Sequence, residues 1–176
     1  MKWLFAVVVT VLEARSAKGQ PPSVSNFYNQ QTIFCEVGGH TRSLLSVNYE
    51  RLFKGPVKNT LWSVRTGIGI APGESERDIP SVTSVPVVLS LLIGKTRHFV
   101  DLSVGWTASW GKDKIDSSQR PPQVYQKFES AYVLTLGYRF MKIDNVMFEG
   151  APTVLWTNNP GEKFQWSFTI IVGYAF

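Results

Sequence analysis

The segment Val100-Asp101-Leu102-Ser103-Val104-Gly105-Trp106-Thr107-Ala108-Ser109-Trp110 decides the fold. Val100, Leu102, Val104, Trp106 and Trp110 share one parity, and Asp101, Ser103, Gly105, Thr107 and Ser109 share the other. A period of two places these sets on opposite faces of a strand. One face is large and apolar; the other is small and polar.

The rhythm recurs along the chain. Trp166, Phe168, Ile170, Val172, Tyr174 and Phe176 stand opposite Ser167, Thr169, Ile171, Gly173 and Ala175. Trp62, Val64, Ile68 and Ile70 oppose Ser63, Arg65, Gly67 and Gly69, and Tyr132, Leu134, Leu136, Tyr138 and Phe140 oppose Thr135, Gly137 and Arg139. The pattern predicts eight strands, at 32–38, 43–53, 60–71, 84–93, 98–110, 129–140, 146–157 and 165–176. No segment has helical periodicity or an internal repeat beyond the strand rhythm. Pro86 and Pro152 fall inside strands, where a missing ladder donor suggests bulges.

The connections alternate in length. Residues 54–59, 94–97 and 141–145 read as short turns, whereas 72–83 and 111–128 are long and polar and 158–164 is intermediate. Only 39–42 is short where a longer loop was expected. Short periplasmic turns, longer outer loops and an even strand number are the plan of bacterial outer-membrane barrels. The fold class expected is all-β, an eight-stranded antiparallel up-and-down transmembrane barrel over residues 32–176.

A soluble exported barrel or sandwich also has one apolar face, so alternation alone leaves it open. Three features favour the membrane form. The minor face is mostly Gly, Ser, Thr and Ala, which suits a narrow lumen rather than a solvated surface. Aromatics gather near strand ends, at Trp62, Trp106, Trp110, Tyr138, Phe140, Trp156, Trp166, Tyr174 and Phe176, as interfacial girdles require. An open sheet edge in lipid would leave backbone groups unsatisfied at several kcal/mol each.

Magnitude then sets the parity. Glu36, Glu50, Arg65, Asp101, Arg139 and Glu149 all lie on the small, polar face. An arginine facing mid-bilayer costs roughly 2–4 kcal/mol, so both arginines are expected inside, paired with the four carboxylates in a polar network that leaves little room for a pore.

The N-terminus reads as an export signal. Lys2 precedes an apolar run from Trp3 to Leu12, and Ala17 and Gly19 stand at the small-residue positions before Gln20. The alternative is a buried first strand or helix. Residues 1–19 are expected to be removed, and 20–31, polar and carrying Pro21 and Pro22, to form a flexible lead-in. The formal charge then falls from +5 to +3, too weak and dispersed for nucleic acid. Cys35, the sole cysteine, cannot form an internal disulfide and reads as an apolar-face strand residue.

The stretches Glu36-Val37-Gly38-Gly39, Ser46-Val47-Asn48-Tyr49-Glu50-Arg51-Leu52-Phe53 and Val172-Gly173-Tyr174-Ala175-Phe176 resemble small outer-membrane β-barrel proteins of the Bacteroidota type. The resemblance covers the layout of the whole mature chain but only these motifs in letters. It implies a bacterial outer-membrane location, contact with outer-membrane lipids and lipopolysaccharide, and barrel-assembly machinery that recognises Tyr174 and Phe176. Those two residues also read simply as the last lipid-facing positions.

Chemistry has few footholds. No phosphate-cradling loop, HExxH or paired-cysteine site occurs, so no cofactor and no metal are expected. Some small barrels are lipid A deacylases or acyltransferases, which need a His within reach of a Ser and a carboxylate. Of the two histidines, His98 reads as a solvated turn residue; His40, with Thr41, Ser43 and Glu36 nearby, is the one catalytic candidate. Glu74, Glu76 and Asp78 match no known cation loop and read as a solvated acidic loop. Lys112, Lys114, Arg120 and Lys127 suit contact with lipopolysaccharide phosphates or another envelope protein. The leading expectation is a non-enzymatic barrel with a structural, adhesion or accessory-subunit role. A lipid-modifying enzyme and a narrow channel are the alternatives.

Overall fold

A computed structural model of the chain describes residues 24–39, 45–71, 81–114, 124–142, 146–157 and 164–176. Eight strands follow one another: β1 (Gln31–Val37), β2 (Leu45–Lys54), β3 (Thr60–Ala71), β4 (Val82–Lys95), β5 (His98–Lys114), β6 (Val124–Met141), β7 (Val146–Thr157) and β8 (Phe164–Ala175). Each pairs antiparallel with the next, and β1 pairs with β8 to close the barrel. At the seam Gln31 and Phe176 exchange both backbone hydrogen bonds, at 3.0 and 2.9 Å. Closure removes the unpaired edge that an open sheet would present.

The faces sort as the alternation requires. Leu134, Leu136, Ile68 and Ile170 point outward with more than half of their surface free, and Trp166 is 78% exposed. Ser63, Ser90, Ser103, Thr135, Thr153 and Thr169 point inward and are buried. A soluble barrel hides its apolar face; here that face forms the exterior. Among the described residues the outer band carries no charge until the short-turn end, where the Arg51 guanidinium lies 5.6 Å from the Phe53 ring centroid. So large a continuous apolar surface is a contact surface for lipid or protein, not for water.

Strand limits depart from the expected ones in one place of consequence. Residues 111–128, expected as a loop, contain the continued ladder of β5 and β6, with Lys112 opposite Gln126 and Lys114 opposite Val124. Backbone pairing does not depend on the apolar alternation that marks a strand inside lipid, so this polar extension carried no sequence signal. The β5–β6 hairpin therefore rises above the other strands.

The prolines make no bulge. The β3–β4 register is the same on either side of Pro86, from Thr66 opposite Val87 to Gly69 opposite Ser84, with a gap in the pairing between. Pro152 interrupts the β6–β7 ladder likewise, between Thr135–Thr153 and Tyr138–Gly150. Each proline has its missing donor on one side only, and its other neighbour keeps pairing.

The lead-in differs as well. Val24–Phe27 is a short 3-10 helix seated in the short-turn end of the bore. Phe27 is fully buried among Leu52, Leu61, Leu92, Phe99, Met141 and Met147, with its ring edge-on to Phe99 at 5.6 Å between centroids. Residues 24–30, expected as flexible, are a plug because two apolar side chains meet an apolar ring of inward residues at that end. The expected signal segment, 1–19, lies outside the described residues.

Candidate functional site: the charged bore

Above the plug the bore holds a cluster of five charged side chains from five strands. Glu50 on β2 and Arg65 on β3 are direct cross-strand partners, as are Arg139 on β6 and Glu149 on β7. Asp101 on β5 lies between the two pairs and bonds to both arginines. Arg65 donates from Nε to Glu50 at 3.0 Å, and from Nη2 to Glu149 at 3.1 Å and to Asp101. Arg139 donates from Nε to Glu149 at 2.9 Å and from Nη1 to Glu50 at 2.7 Å. Its Nη2 reaches Asp101 at 2.5 Å and Glu149 at 2.8 Å. Every one of the three carboxylates thus bonds to both guanidiniums.

These side chains are at most 4% exposed. Desolvating a charge costs several kcal/mol, and mutual attraction offsets that only where hydrogen bonding is dense. The bidentate reach of arginine supplies the density. Two further contacts hold the cluster: Ser103 donates to Asp101, with Ser90 2.7 Å from Ser103, and the Arg65 guanidinium lies 5.7 Å from the Phe34 ring centroid. The local glycine matters too. A Cβ on Gly137, the cross-strand partner of Asp101, would stand 2.8 Å from the Ala151 Cβ and 3.3 Å from a Glu149 oxygen. Glycine leaves the Arg139–Glu149 pair its room.

Glu36 is buried but sits nearer the outer end, beside Asn48, whose amide also donates to Ser46 at 2.8 Å. The structure therefore brings five of the six sequence-derived lumen residues into one cluster and sets Glu36 apart. Beyond it the bore is lined by hydroxyls, with Thr153 2.7 Å from Thr169 and 3.3 Å from Thr135. A cross-braced, filled bore is a mechanical core.

The aromatic residues expected near strand ends fall at both ends of the barrel, except Trp106, which lies at the middle of β5. At the outer end Trp110 packs on Phe128 at 5.6 Å, and Trp156 lies between Tyr132 at 6.1 Å and Phe164 at 5.9 Å. Trp106 and Trp166 face outward on the same half. At the short-turn end Trp62 is half-buried, and Tyr138, Tyr174 and Phe176 are exposed. His98 is not merely a solvated turn residue: its Nδ1 lies 2.5 Å from the Tyr138 hydroxyl and its ring packs on Tyr138 and Phe140. Cys35 is exposed on the outer face of β1. His40, Ser43, the carboxylates Glu74, Glu76 and Asp78, and Arg120 lie outside the described residues, as do the side chains of Lys112, Lys114 and Lys127. Sequence reasoning missed Phe27 and Val24, because a single 3-10 turn has no periodicity to read.

No family model and no curated protein matches the chain. Among solved structures it is similar to the N-terminal β-barrel domain of Pseudomonas aeruginosa OprF, with 12% identity and a TM-score of 0.57 over 85% of this chain and 98% of that one. Yersinia pestis Ail in a phospholipid bilayer nanodisc gives 13% identity and a TM-score of 0.48, covering 84% and 99%. Ail in complex with the heparin analogue sucrose octasulfate gives 13% and 0.38, covering 84% and 96%. At such identities only architecture is shared, and the comparison of architecture rests here on the OprF domain. The chain is a closed, eight-stranded, all-antiparallel β-barrel of the architecture found in the N-terminal β-barrel domain of OprF.

Proposed function

We propose that this chain is a non-enzymatic outer-membrane β-barrel, exported by residues 1–19, that serves as a rigid scaffold with a structural, adhesion or accessory-subunit role. The observation that carries the reading is the pairing of an outward apolar belt with a bore closed by the Arg65–Arg139 cluster and by Phe27. Such a body anchors what its ends present. The contacts belong to the outer connections, 72–83 and 111–128, the second of which includes residues 115–123 between the extended strands β5 and β6. Their partners are lipopolysaccharide or another envelope protein. Tyr174 and Phe176, outward at the end of β8, are the residues offered to barrel-assembly machinery. The Bacteroidota type remains a proposal resting on the motifs around Glu36, Asn48 and Tyr174.

Affinity purification from native envelopes, run beside a chain whose residues 115–123 are replaced by a short Gly-Ser turn, tests this. The account expects a stoichiometric partner or bound lipopolysaccharide that is lost with the hairpin tip while the folded barrel persists. Equal capture by both chains contradicts it. Planar-bilayer recording should show no steady conductance. His40→Ala should leave lipid A acylation unchanged; a loss would establish the enzyme instead.

A further inference from the structure

The topology sorts the charges of residues 20–176 into three layers. The outer connections and the strand ends beside them hold seven basic and seven acidic residues. The bore holds two basic and four acidic. The three short connections and the strand ends beside them carry Arg51, Lys54, Lys58, Lys95, Arg97 and Lys142 against one acidic residue in sequence, Asp144, which lies outside the described residues. The whole positive surplus of the chain is thus collected at one rim, although the sequence spreads it over more than ninety positions.

Arg51, Lys54, Lys58 and Lys95 are exposed, Arg97 and Lys142 partly so, and none of the six is ion-paired to a described carboxylate. They come from the three short connections, β2–β3, β4–β5 and β6–β7, and so occupy the arc of the rim from β2 to β7, leaving the β8–β1 seam without any of them. Immediately above Lys54, Lys58, Lys95, Arg97 and Lys142 stand Phe53, Tyr138, Tyr174 and Phe176, all exposed; Arg51 lies one outward position above Phe53, with its guanidinium against that ring, and above it comes the uncharged belt. Aromatics at the headgroup boundary with cations just beyond it match the layering of a bilayer interface, where phosphates lie outside the level of the rings.

We infer that the short-turn rim is a docking surface for anionic phospholipid headgroups. The six basic side chains supply the counter-charge and the aromatic belt sets the depth. This rests on the proposed placement of the barrel in a bilayer.

The test uses the full chain folded into vesicles of phosphatidylcholine with and without phosphatidylglycerol. Resistance to dissociation in unheated gels reports folding, and quenching by brominated phosphatidylglycerol or brominated phosphatidylcholine reports which lipid surrounds the barrel. The expected preference for the anionic lipid is at least about fivefold, the factor one basic side chain contributes at an anionic surface. It should fall most of the way to parity in high salt and in a chain carrying Lys54→Gln, Lys58→Gln, Lys95→Gln and Lys142→Gln. A folded barrel with no preference overturns the inference, as does a preference that survives the four substitutions. Should the substituted chain not fold, a preference indifferent to salt in the unaltered chain overturns it equally. Failure to fold in any bilayer overturns instead the placement on which the inference depends.

Discussion

Replacing Arg139 with Met removes three hydrogen bonds and a further ion-pair contact by which it holds Glu149, Glu50 and Asp101. Three buried carboxylates then share the single guanidinium of Arg65, and the net formal charge of the cluster moves from one negative to two. Removing one partner of a buried ion pair costs about 3–5 kcal/mol, because the remaining charge stays desolvated. Against an ordinary margin of about 5–15 kcal/mol the variant should fold but be much weaker. Adding Glu149→Gln returns the surplus to one negative charge, so the double variant should regain about 1–2 kcal/mol. Guanidinium unfolding in phospholipid vesicles, followed by tryptophan fluorescence and by gel mobility of unheated samples, measures both. A loss below about 1 kcal/mol, the usual worth of a solvated pair, would mean that Arg139 sits in water and would refute the cross-braced bore.

Other perturbations address other layers. Leu136→Arg puts a charge on the outward face near mid-belt and should cost about 2–4 kcal/mol in the same vesicle assay, with most of that cost gone for a charge placed at the rim. Phe27→Ala empties the centre of the plug; about 3–5 kcal/mol should be lost, and limited proteolysis should then cut the chain before Gln31. Thr96 holds a φ of 59° in the two-residue turn between β4 and β5, a conformation costly for a β-branched side chain, so Thr96→Gly should raise stability by about 1 kcal/mol or more.

How much of this was legible beforehand follows from what each feature leaves in the sequence. Burial on one face only, as at Val100–Trp110, writes a period of two, so the strands and their parity could be read directly. The inward placement of Arg65 and Arg139 followed from the price of the alternative in lipid. Their mutual contact was less accessible, since Glu50–Arg65 and Arg139–Glu149 are neighbours only once the register is fixed, and Glu36 shares the parity of Glu50 yet stands at another height. The plug left no pattern: Val24 and Phe27 are two apolar residues among Ser, Asn and Gln, and what captures them is an apolar ring drawn from all eight strands. The upper β5–β6 ladder is polar in sequence because it lies beyond the belt. The basic rim is dispersed in sequence for a geometric reason, as successive short turns are separated by two strand lengths and a long loop.

Cys35 offers the most direct measurement of which way the apolar face looks, as it is the only cysteine and lies outward on β1 between Phe34 and Glu36, which point inward. A nitroxide attached there in the vesicle-folded barrel should collide with dissolved oxygen and be shielded from a water-soluble nickel relaxant, as a group among acyl chains must be. Ready collision with the nickel complex, together with poor collision with oxygen, would put that face in water and contradict the account.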